Sequence, residues 1–338
     1  MSKSIIVHIN MASGFGGGEV QTLNLIKSSK KHIHYIYAKK GKPFYNEVES
    51  CKLSTISFFG MLKIALSNRD VIFHAHDGRG VHIARLVAAL TGKKYLVTRR
   101  VDKKLKGDFS KSSYNKAAAI VGISQKVLSH ISDLNPNQRV IHDSFSNFPF
   151  SIEEEQRLKQ LPGRFLVVQV GSLIKLKNVE ATIAVAKIAS SENPDIHFLV
   201  VGSGPECEHL KEMAKGLNNI TFWGFTPNMA SVFKQTDVLI HPSKSEGLGS
   251  SILEAYQFDI PVITSDAGGI PEIVVDGETG YIVPNAEPQM MAKKIFELYE
   301  NRDAFLQMKD NVSLFKSGFS IEKMTEQYEA LYSQELEC

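Results

Sequence analysis

Apolar runs of three to six residues recur along this chain, and amphipathic stretches lie between them in two successive series. In the first series Ile5–Ile9, His34–Tyr37, Val71–Ala75, Tyr95–Val97 and Ala118–Gly122 predict short strands, with a weaker one at Val140–Ile141. Helices are expected from about Glu19 and over Val81–Leu90, and Ser124 is placed to cap another. The second series begins at Phe165–Val170. It continues through strands at His197–Val201, Ile220–Trp223, Val238–Ile240, Val262–Thr264 and Gly280–Val283. Helices are expected over Glu180–Ala189, Glu206–Lys215, Met229–Lys234 and Ser250–Phe258, then over Gln289–Glu300 and Ile321–Leu336. Strands this short and apolar, alternating with helices, predict an α/β chain whose parallel sheets are covered on both faces.

The alternation breaks between residues 145 and 163, at Asn147-Phe-Pro-Phe150, the acidic Glu153–Glu155 and Leu161-Pro-Gly163. Two domains follow, 1–150 and 163–320, with a further helical stretch over 321–338. A length of 338 residues accommodates both. The composition, 43% hydrophobic and 22% charged, is that of a soluble globular protein. Cys51, Cys207 and Cys338 are scattered and show no metal-ligand spacing, which points to a reducing compartment. No run reaches transmembrane length and the first apolar run is too short for a signal core. The expected location is the cytoplasm, with peripheral contact at the inner face of the membrane.

Charge alters this picture. Residues 1–150 carry 23 Lys and Arg against nine Asp and Glu, a net +14, and the remainder carries 16 against 27, a net −11. A basic half suits a polyanionic partner, whether nucleic acid, an anionic membrane surface or a phosphorylated acceptor; two halves of opposite sign also attract each other.

Several loops after predicted strands carry candidate chemistry. Glu246-Gly-Leu-Gly-Ser-Ser-Ile-Leu-Glu254 reads as a loop opening a helix, with Gly247 and Gly249 permitting close approach to backbone amides. Two carboxylates flanking that anion cradle suit hydroxyl groups on either side, as in a nucleotide sugar. Gly14-Phe-Gly-Gly-Gly-Glu19 suits a diphosphate but is neither a P-loop nor a dinucleotide fingerprint, because Glu19 stands where the third glycine belongs. Gly171-Ser-Leu-Ile-Lys-Leu-Lys-Asn178 offers Lys175 and Lys177 as cations; Lys177 is the functional candidate and Lys175 the solvated one. Val201-Gly-Ser-Gly-Pro-Glu206 would let a base or ribose lie on Gly202 and Gly204, and Ala267-Gly-Gly-Ile-Pro-Glu272 is a Pro-initiated turn. In His74-Ala-His-Asp77, His74 and His76 share a strand face. A carboxylate beside His76 would allow acid–base work or orientation of a hydroxyl, whereas a metal reading lacks a third ligand. The chain has no Asp-x-Asp, so no metal and no cofactor is expected; Lys, Arg and helix N-termini would neutralise a leaving diphosphate.

Taken in order, Gly16-Gly-Gly-Glu19, Gly171-Ser-Leu with Lys177-Asn178, Val201-Gly-Ser-Gly-Pro205, His241-Pro-Ser with Glu246-Gly-Leu-Gly249 and Glu254-Ala255, and Asp266-Ala-Gly-Gly-Ile-Pro-Glu272 with Gly277-Glu-Thr-Gly280 resemble the retaining glycosyltransferases of family 4, or glycosyl transferases group 1. The resemblance is strongest over residues 165–285. It implies the GT-B fold, two Rossmann-like doubly wound domains facing a central cleft, with a nucleotide-diphosphate sugar on the second, the acceptor on the first and the helix 321–338 packing back on the first. Carried over, Glu254 binds the ribose, Glu246 the donor sugar, and Gly247, Leu248, Gly249 and Ser250 the sugar and diphosphate through backbone amides. Lys177 neutralises the diphosphate, and Gly17 and Gly18 lie close to it. Gly171, Gly202 and Gly204 complete the donor site, and Glu246, Lys177 and His76 are the catalytic candidates.

The chain departs from the family at two positions. Ser172 stands where an Arg is frequent, and Arg100 falls about where a His is frequent; an Arg is no base near neutral pH but clamps anions. Residues 93–116 hold nine Lys and Arg, so Arg99, Arg100, Lys103 and Lys104 are expected to bind an acidic or lipid-linked acceptor such as a bacterial surface glycan, lipopolysaccharide or capsule. The implied reaction is metal-independent hexosyl transfer with retention. No nucleophile is identifiable, which favours front-face displacement. The rival readings are a nucleotide-sugar epimerase or hydrolase on the same fold, and a non-catalytic sugar- or polyanion-binding protein. No nucleic-acid-binding motif is present.

Overall fold

The computed structural model describes residues 3–337. Cys338, counted above among the cysteines and in the closing helix, lies outside them. The chain forms two compact units. One runs to Ser146 and resumes at Phe319; the other is Asn147–Gly318. The expected boundary differs from this in one respect. The acidic stretch after Asn147 is a helix, Ile152–Leu158, and it belongs to the second unit. Glu154 anchors it there, accepting hydrogen bonds from Trp223 Nε1 at 2.6 Å, Thr226 Oγ1 at 2.8 Å and Asn228 Nδ2 at 2.9 Å.

The first unit is built on a parallel sheet of six strands: β1 Ile5–Asn10, β2 Ile33–Ala38, β3 Val71–Ala75, β4 Lys94–Arg99, β5 Ala119–Gly122 and β6 Gln138–Val140, in the order β2-β1-β3-β4-β5-β6. The strand sequence reverses direction between β1 and β3. The two faces of the sheet differ in chemistry. Val7, Ile9, Phe73, Ala75 and Val97 point to one side and pack with Val81, Ala84 and Val87 of the Gly78–Thr91 helix. Alternate residues point to the other side, where Ile6, Ile72 and Leu96 give way to His8, His74 and Thr98 as the strands approach their C-terminal ends.

The Ile321–Glu337 helix covers this second face. Its buried positions Met324, Thr325, Tyr328, Leu331 and Tyr332 follow helical periodicity, and the two tyrosines meet the polar end of the sheet. Tyr332 Oη lies 2.7 Å from His74 Nδ1, and Tyr328 Oη 2.9 Å from Thr98 Oγ1, which in turn is 2.7 Å from His74 Nε2. Ring edges thus satisfy polar groups that a wholly apolar helix would strand.

The second unit repeats the plan: β7 Phe165–Val170, β8 Ile196–Val201, β9 Ile220–Gly224, β10 Val238–His241, β11 Val262–Thr264 and β12 Gly280–Ile282, ordered β12-β11-β10-β7-β8-β9. Its reversal lies between β7 and β10. The α/β reading and the doubly wound sheets hold in both units. The strand expectations match to within one or two residues throughout, and β3, β7 and β11 match residue for residue. Helices at Pro43–Ser50, Phe58–Ser67, Asp108–Asn115 and Arg302–Phe315 were not expected. Among the described residues, no helix is long and apolar enough to cross a membrane.

Tyr332 is fully buried and touches both the apolar and the histidine-bearing part of the sheet. Replacing it with Ala should destabilise the first unit by about 3–5 kcal/mol. Tyr332→Phe, which keeps the ring, should cost about 1–3 kcal/mol through the stranded His74 nitrogen. Urea unfolding followed by fluorescence would read both.

Candidate functional site

In open doubly wound sheets, loops at the C-terminal ends of strands splay apart where the strand order reverses, and ligands bind there. In the second unit that place lies between the loop after β7 and the loop after β10. Lys177 comes from the first and Glu246 from the second, and Lys177 Nζ stands 2.5 Å from Glu246 Oε1. The two loops are tied by backbone as well. Lys244 N donates to Leu176 O at 2.8 Å, and Asn178 Nδ2 to Pro242 O at 3.0 Å, with Asn178 in the left-handed region at φ 52°.

His241, at the end of β10, completes the cluster, and sequence reading had not singled it out as a site residue. Its ring is buried. Nε2 lies 2.9 Å from Glu246 Oε1 and Nδ1 lies 3.1 Å from Ser251 Oγ. Burial lowers the His241 pKa against the pull of Glu246, so the ring is neutral. A neutral ring that donates from Nε2 to the carboxylate must accept at Nδ1 from the Ser251 hydroxyl. Burial alone would raise the Glu246 pKa, but the hydrogen bond from His241 and the charge and hydrogen bond of Lys177 outweigh it and hold the carboxyl well below its usual range. Glu246 is therefore an ionised acceptor with one oxygen fixed.

Directly after this carboxylate, the Ser250–Gln257 helix starts from Gly249 with no side-chain cap. The Ile252 amide turns back to Gly249 O at 2.9 Å, which leaves those of Ser250 and Ser251 to meet a ligand. Leu248 is buried, so it can contribute only backbone; Gly247 and Ser250 are partly exposed. Glu254 lies one turn into the helix, partly exposed, and burial pushes its carboxyl up to about 7 despite the opposing charge of Lys177.

Close backbone packing forms the rest of this site. A side chain at Gly202 would place its Cβ 1.9 Å from Gly171 O, and one at Gly204 would stand 2.4 Å from Leu173 O. At Gly268 it would stand 1.7 Å from Glu246 O. Gly171, Gly202, Gly204 and Gly268 thus let three neighbouring loops stack on the Lys177 and Glu246 segments without side chains between them. Ser172 and Lys175 are exposed and stand apart from the ion pair.

The first unit presents a second set of residues at its own reversal. The Gly17–Ser28 helix starts from Gly16, and Glu19 closes it by accepting from Gly16 N at 3.0 Å. The residue that spoils the dinucleotide fingerprint is therefore a capping residue. Gly17 lies in the exposed first turn, and Gly18 packs toward Arg100, whose Cδ a Cβ there would meet at 3.3 Å. Beside this loop lies a pocket of about 760 Å³ lined in part by Gly14, Gly16, Asp77 and Arg79.

Three expectations for this unit need correction. Asp77 is not a partner of His76. Its Oδ1 accepts from Arg79 N at 2.8 Å and Gly80 N at 3.1 Å and its Oδ2 from Met11 N, so it caps the Gly78–Thr91 helix. Arg99 is not available to an acceptor. It is buried, lies over the Tyr114 ring with its guanidinium carbon 5.5 Å from the centroid, and donates to Lys103 O, holding the loop that follows. The missing third histidine is His8, whose ring nitrogens come within 4.8 Å of those of His74 and His76. All of those nitrogens except His76 Nδ1 already serve hydrogen bonds. His8 Nδ1 and His76 Nε2 are 2.9 Å apart, whereas two nitrogens on a tetrahedral zinc lie about 3.3 Å apart.

Arg100 donates through Nε to Asp143 at 3.1 Å, and its Nη1 and Nη2 are buried with no partner. Lys103 and Lys104 are exposed. Lys94 instead pairs with Glu335 of the closing helix. The basic stretch is thus divided between internal ties and an exposed set.

Gly268→Ala should cost about 2 kcal/mol or more, because the left-handed backbone and the Glu246 carbonyl both resist a side chain. Gly277→Ala has a similar φ of +78° but open space, and should cost about 1 kcal/mol. Denaturant titration of the two variants tests the difference.

Comparison with known proteins places this geometry. Residues 151–314 match the family described as glycosyl transferases group 1. N-acetyl-alpha-D-glucosaminyl L-malate synthase of Bacillus anthracis is 28% identical over 173 residues, 49% of this chain and 45% of its own. The capsular polysaccharide biosynthesis glycosyltransferase CapM of Staphylococcus aureus is 28% identical over 186 residues, 53% and 49% of the two chains. This chain spans about half the length of the curated relatives it matches. HepE of Anabaena, solved with UDP-glucose, superposes with a TM-score of 0.82 over 98% of this chain and 100% of its own, at 18% identity. That likeness is one of fold, the GT-B fold. Residues 151–314 thus match the glycosyl transferases group 1, and the chain as a whole shares the two doubly wound sheets of the GT-B fold.

Proposed function

We propose that this protein is a retaining, metal-independent glycosyltransferase. It takes a sugar from a nucleotide-diphosphate donor held on Asn147–Gly318 and passes it to an anionic or lipid-linked surface glycan held on the first unit. The observation that carries this reading is the Lys177–Glu246–His241 cluster beside the uncapped start of the Ser250–Gln257 helix. It joins an acceptor for sugar hydroxyls to donors for a diphosphate at one reversal point. The names of relatives agree with it: HepE was solved with UDP-glucose, and CapM acts in capsular polysaccharide biosynthesis.

The residues divide the work as follows. Glu246 is fixed by His241 through one oxygen, leaving its other oxygen to accept a donor-sugar hydroxyl. Lys177 spends one of its three donors on Glu246 and keeps two for phosphate oxygens. Gly247 to Ser250 supply amides and the helix dipole. In front-face displacement the bond from the anomeric carbon to the diphosphate oxygen breaks as the acceptor oxygen bonds to the same face. The acceptor proton passes to the departing phosphate. The protein contributes position and charge. Glu254 would accept both ribose hydroxyls, which needs its ionised form.

Calorimetry with UDP, GDP, ADP, CMP and dTDP tests the donor site: one nucleotide should bind tightly and lose affinity in Glu254→Ala, and failure of all five sinks the reading. The corresponding nucleotide sugar, whose phosphates do not titrate near neutrality, should bind about tenfold more tightly at pH 8 than at pH 6. A carboxyl with a pKa of about 7 is about one-tenth ionised at the lower pH and nine-tenths at the higher. Glu254→Gln should flatten that profile.

Lys177→Ala should weaken donor binding about ten- to hundredfold. Replacing Lys103, Lys104 and Lys106 together by Ala should raise the KM for acceptor and leave donor affinity unchanged. Equal loss of both would contradict the acceptor assignment, and an inverted product anomer would contradict the mechanism.

A further inference from the structure

A line of hydrogen bonds crosses the first sheet sideways, from β2 through β1 to the residue after β3. It starts at Glu329 of the closing helix. Glu329 Oε1 lies 2.9 Å from Ser29 Oγ, and Ser29 Oγ 2.9 Å from His34 Nε2. His34 Nδ1 lies 2.9 Å from His8 Nε2, and His8 Nδ1 2.9 Å from His76 Nε2. The remaining nitrogen of the series, His76 Nδ1, is buried and has no partner.

The chemistry of the first member fixes the polarity of all the others. Glu329 also takes the backbone amides of Lys30 and Lys31 and pairs with Lys31 Nζ at 3.3 Å. Burial opposes ionisation there, but the hydrogen bonds of Ser29 and Lys31 prevail and its pKa is lowered. An ionised carboxylate only accepts, so Ser29 donates its single proton to it. Ser29 Oγ must then accept from His34 Nε2–H. Burial, with neighbouring imidazoles, lowers the pKa of His34 to about 4 and holds those of His8 and His76 well below the ordinary imidazole value, so all three rings are neutral. A neutral imidazole that donates at one nitrogen accepts at the other. His34 Nδ1 accepts from His8 Nε2–H, His8 Nδ1 accepts from His76 Nε2–H, and His76 Nδ1 is left a bare lone pair.

Arg100 supplies the complement. Its Nη1 and Nη2 are likewise buried and unpartnered, Asp143 holds the group through Nε, and its charge reaches His76 and contributes to the lowered pKa there. His76 and Arg100 follow the adjacent strands β3 and β4, next to the reversal point. His76 thus keeps one unsatisfied acceptor and Arg100 two unsatisfied donors, within electrostatic reach of each other, and each costs stability while unfilled.

We propose that His76 Nδ1 and the Arg100 guanidinium form a recognition site in the first unit for a hydroxyl next to an anionic oxygen pair, with His76 held in its acceptor tautomer by the relay through His8, His34, Ser29 and Glu329. His76 and Arg100 touch the ligand. The other four are positioning residues. The ligand class is a polyol bearing a phosphate or carboxylate. Its use as a sugar acceptor rests on the function proposed above, whereas the tautomer and the site do not.

The test is 15N NMR of the full chain labelled at histidine, with resonances assigned by single replacements. His34, His8 and His76 should each show a protonated Nε2 and an unprotonated Nδ1. A protonated His76 Nδ1 overturns the relay. Glycerol phosphate and glycerate, added up to ~50 mM to reach the weak binding expected of a few contacts, should shift His76 Nδ1 toward the hydrogen-bonded position. Glycerol and inorganic phosphate separately should do so much less. A response to glycerol phosphate alone assigns the anion as phosphate, and a response to glycerate alone as carboxylate. No response to either overturns the site, even where nucleotide binding to the second unit succeeds.

His76→Asn, whose amide oxygen falls near Nδ1, should retain probe affinity within about threefold, while His76→Leu should lose about tenfold or more. Equal loss in both would mark His76 as structural. Where His76→Leu fails to fold, the tautomer measurement on the unaltered chain decides. A stoichiometric shift of His8, His74 and His76 on adding zinc, with zinc present in the purified protein, would replace the relay by a metal site and overturn the proposal.

Discussion

The arrangement of each unit depends on the reversal of strand order within its sheet. Between β7 and β10 the chain has moved outward in one direction, returned, and set off in the other, so two loops nearly 70 residues apart become neighbours with nothing between them. The Lys177–Glu246 contact exists because of that reversal. The reversal lets the loops splay, while tight backbone stacking at Gly202 and Gly268 draws them together again. A site built from loops results, with backbone packed directly on backbone and tied across from Lys244 N to Leu176 O and from Asn178 Nδ2 to Pro242 O. His241 sets its electrostatics by remaining neutral, which lets it orient a carboxylate without cancelling its charge.

The two units use one topology for different chemistry. At its reversal the second unit presents charge already paired, a carboxylate and an ammonium held on each other. The first unit presents polar atoms left unpaired, on His76 and Arg100. Paired charge is stable in the absence of ligand and can be shared with one. Unpaired buried groups cost free energy until a ligand arrives, and they discriminate sharply between ligands that fill them and those that do not.

The strands were legible because burial on both faces leaves an apolar run with hard polar edges, and β3, β7 and β11 were readable to the residue. The glycine-bearing loops were legible because their spacing is local. Helices such as Asp108–Asn115 were not, because Ser, Asp and Asn have weak helical preference there. Tertiary contacts hold that helix instead, with Tyr95 Oη on Ser113 O and His82 Nδ1 on Ser113 Oγ. Arg99 and Arg100 look alike in sequence, and only their neighbours Tyr114 and Asp143 separate a buried clamp from an open fork. The five-member relay was invisible for a similar reason. Its residues lie between five and 300 positions apart, and no spacing in the sequence signals that Ser29 meets Glu329.

The closing helix also bears on how the protein is made. The face of the first sheet that bears the histidines is completed only when Tyr328, Glu329 and Tyr332 join Leu25 of the Gly17–Ser28 helix on it, and these residues follow the whole of Asn147–Gly318 in the chain. During synthesis the second unit therefore has all its parts before the first does. The unit encoded first is the last to be completed. In the relay proposed above, the interior polar line would acquire its direction only when Glu329 docks, and the histidines of a nascent chain would be free to take either tautomer until the Ile321–Glu337 helix is in place.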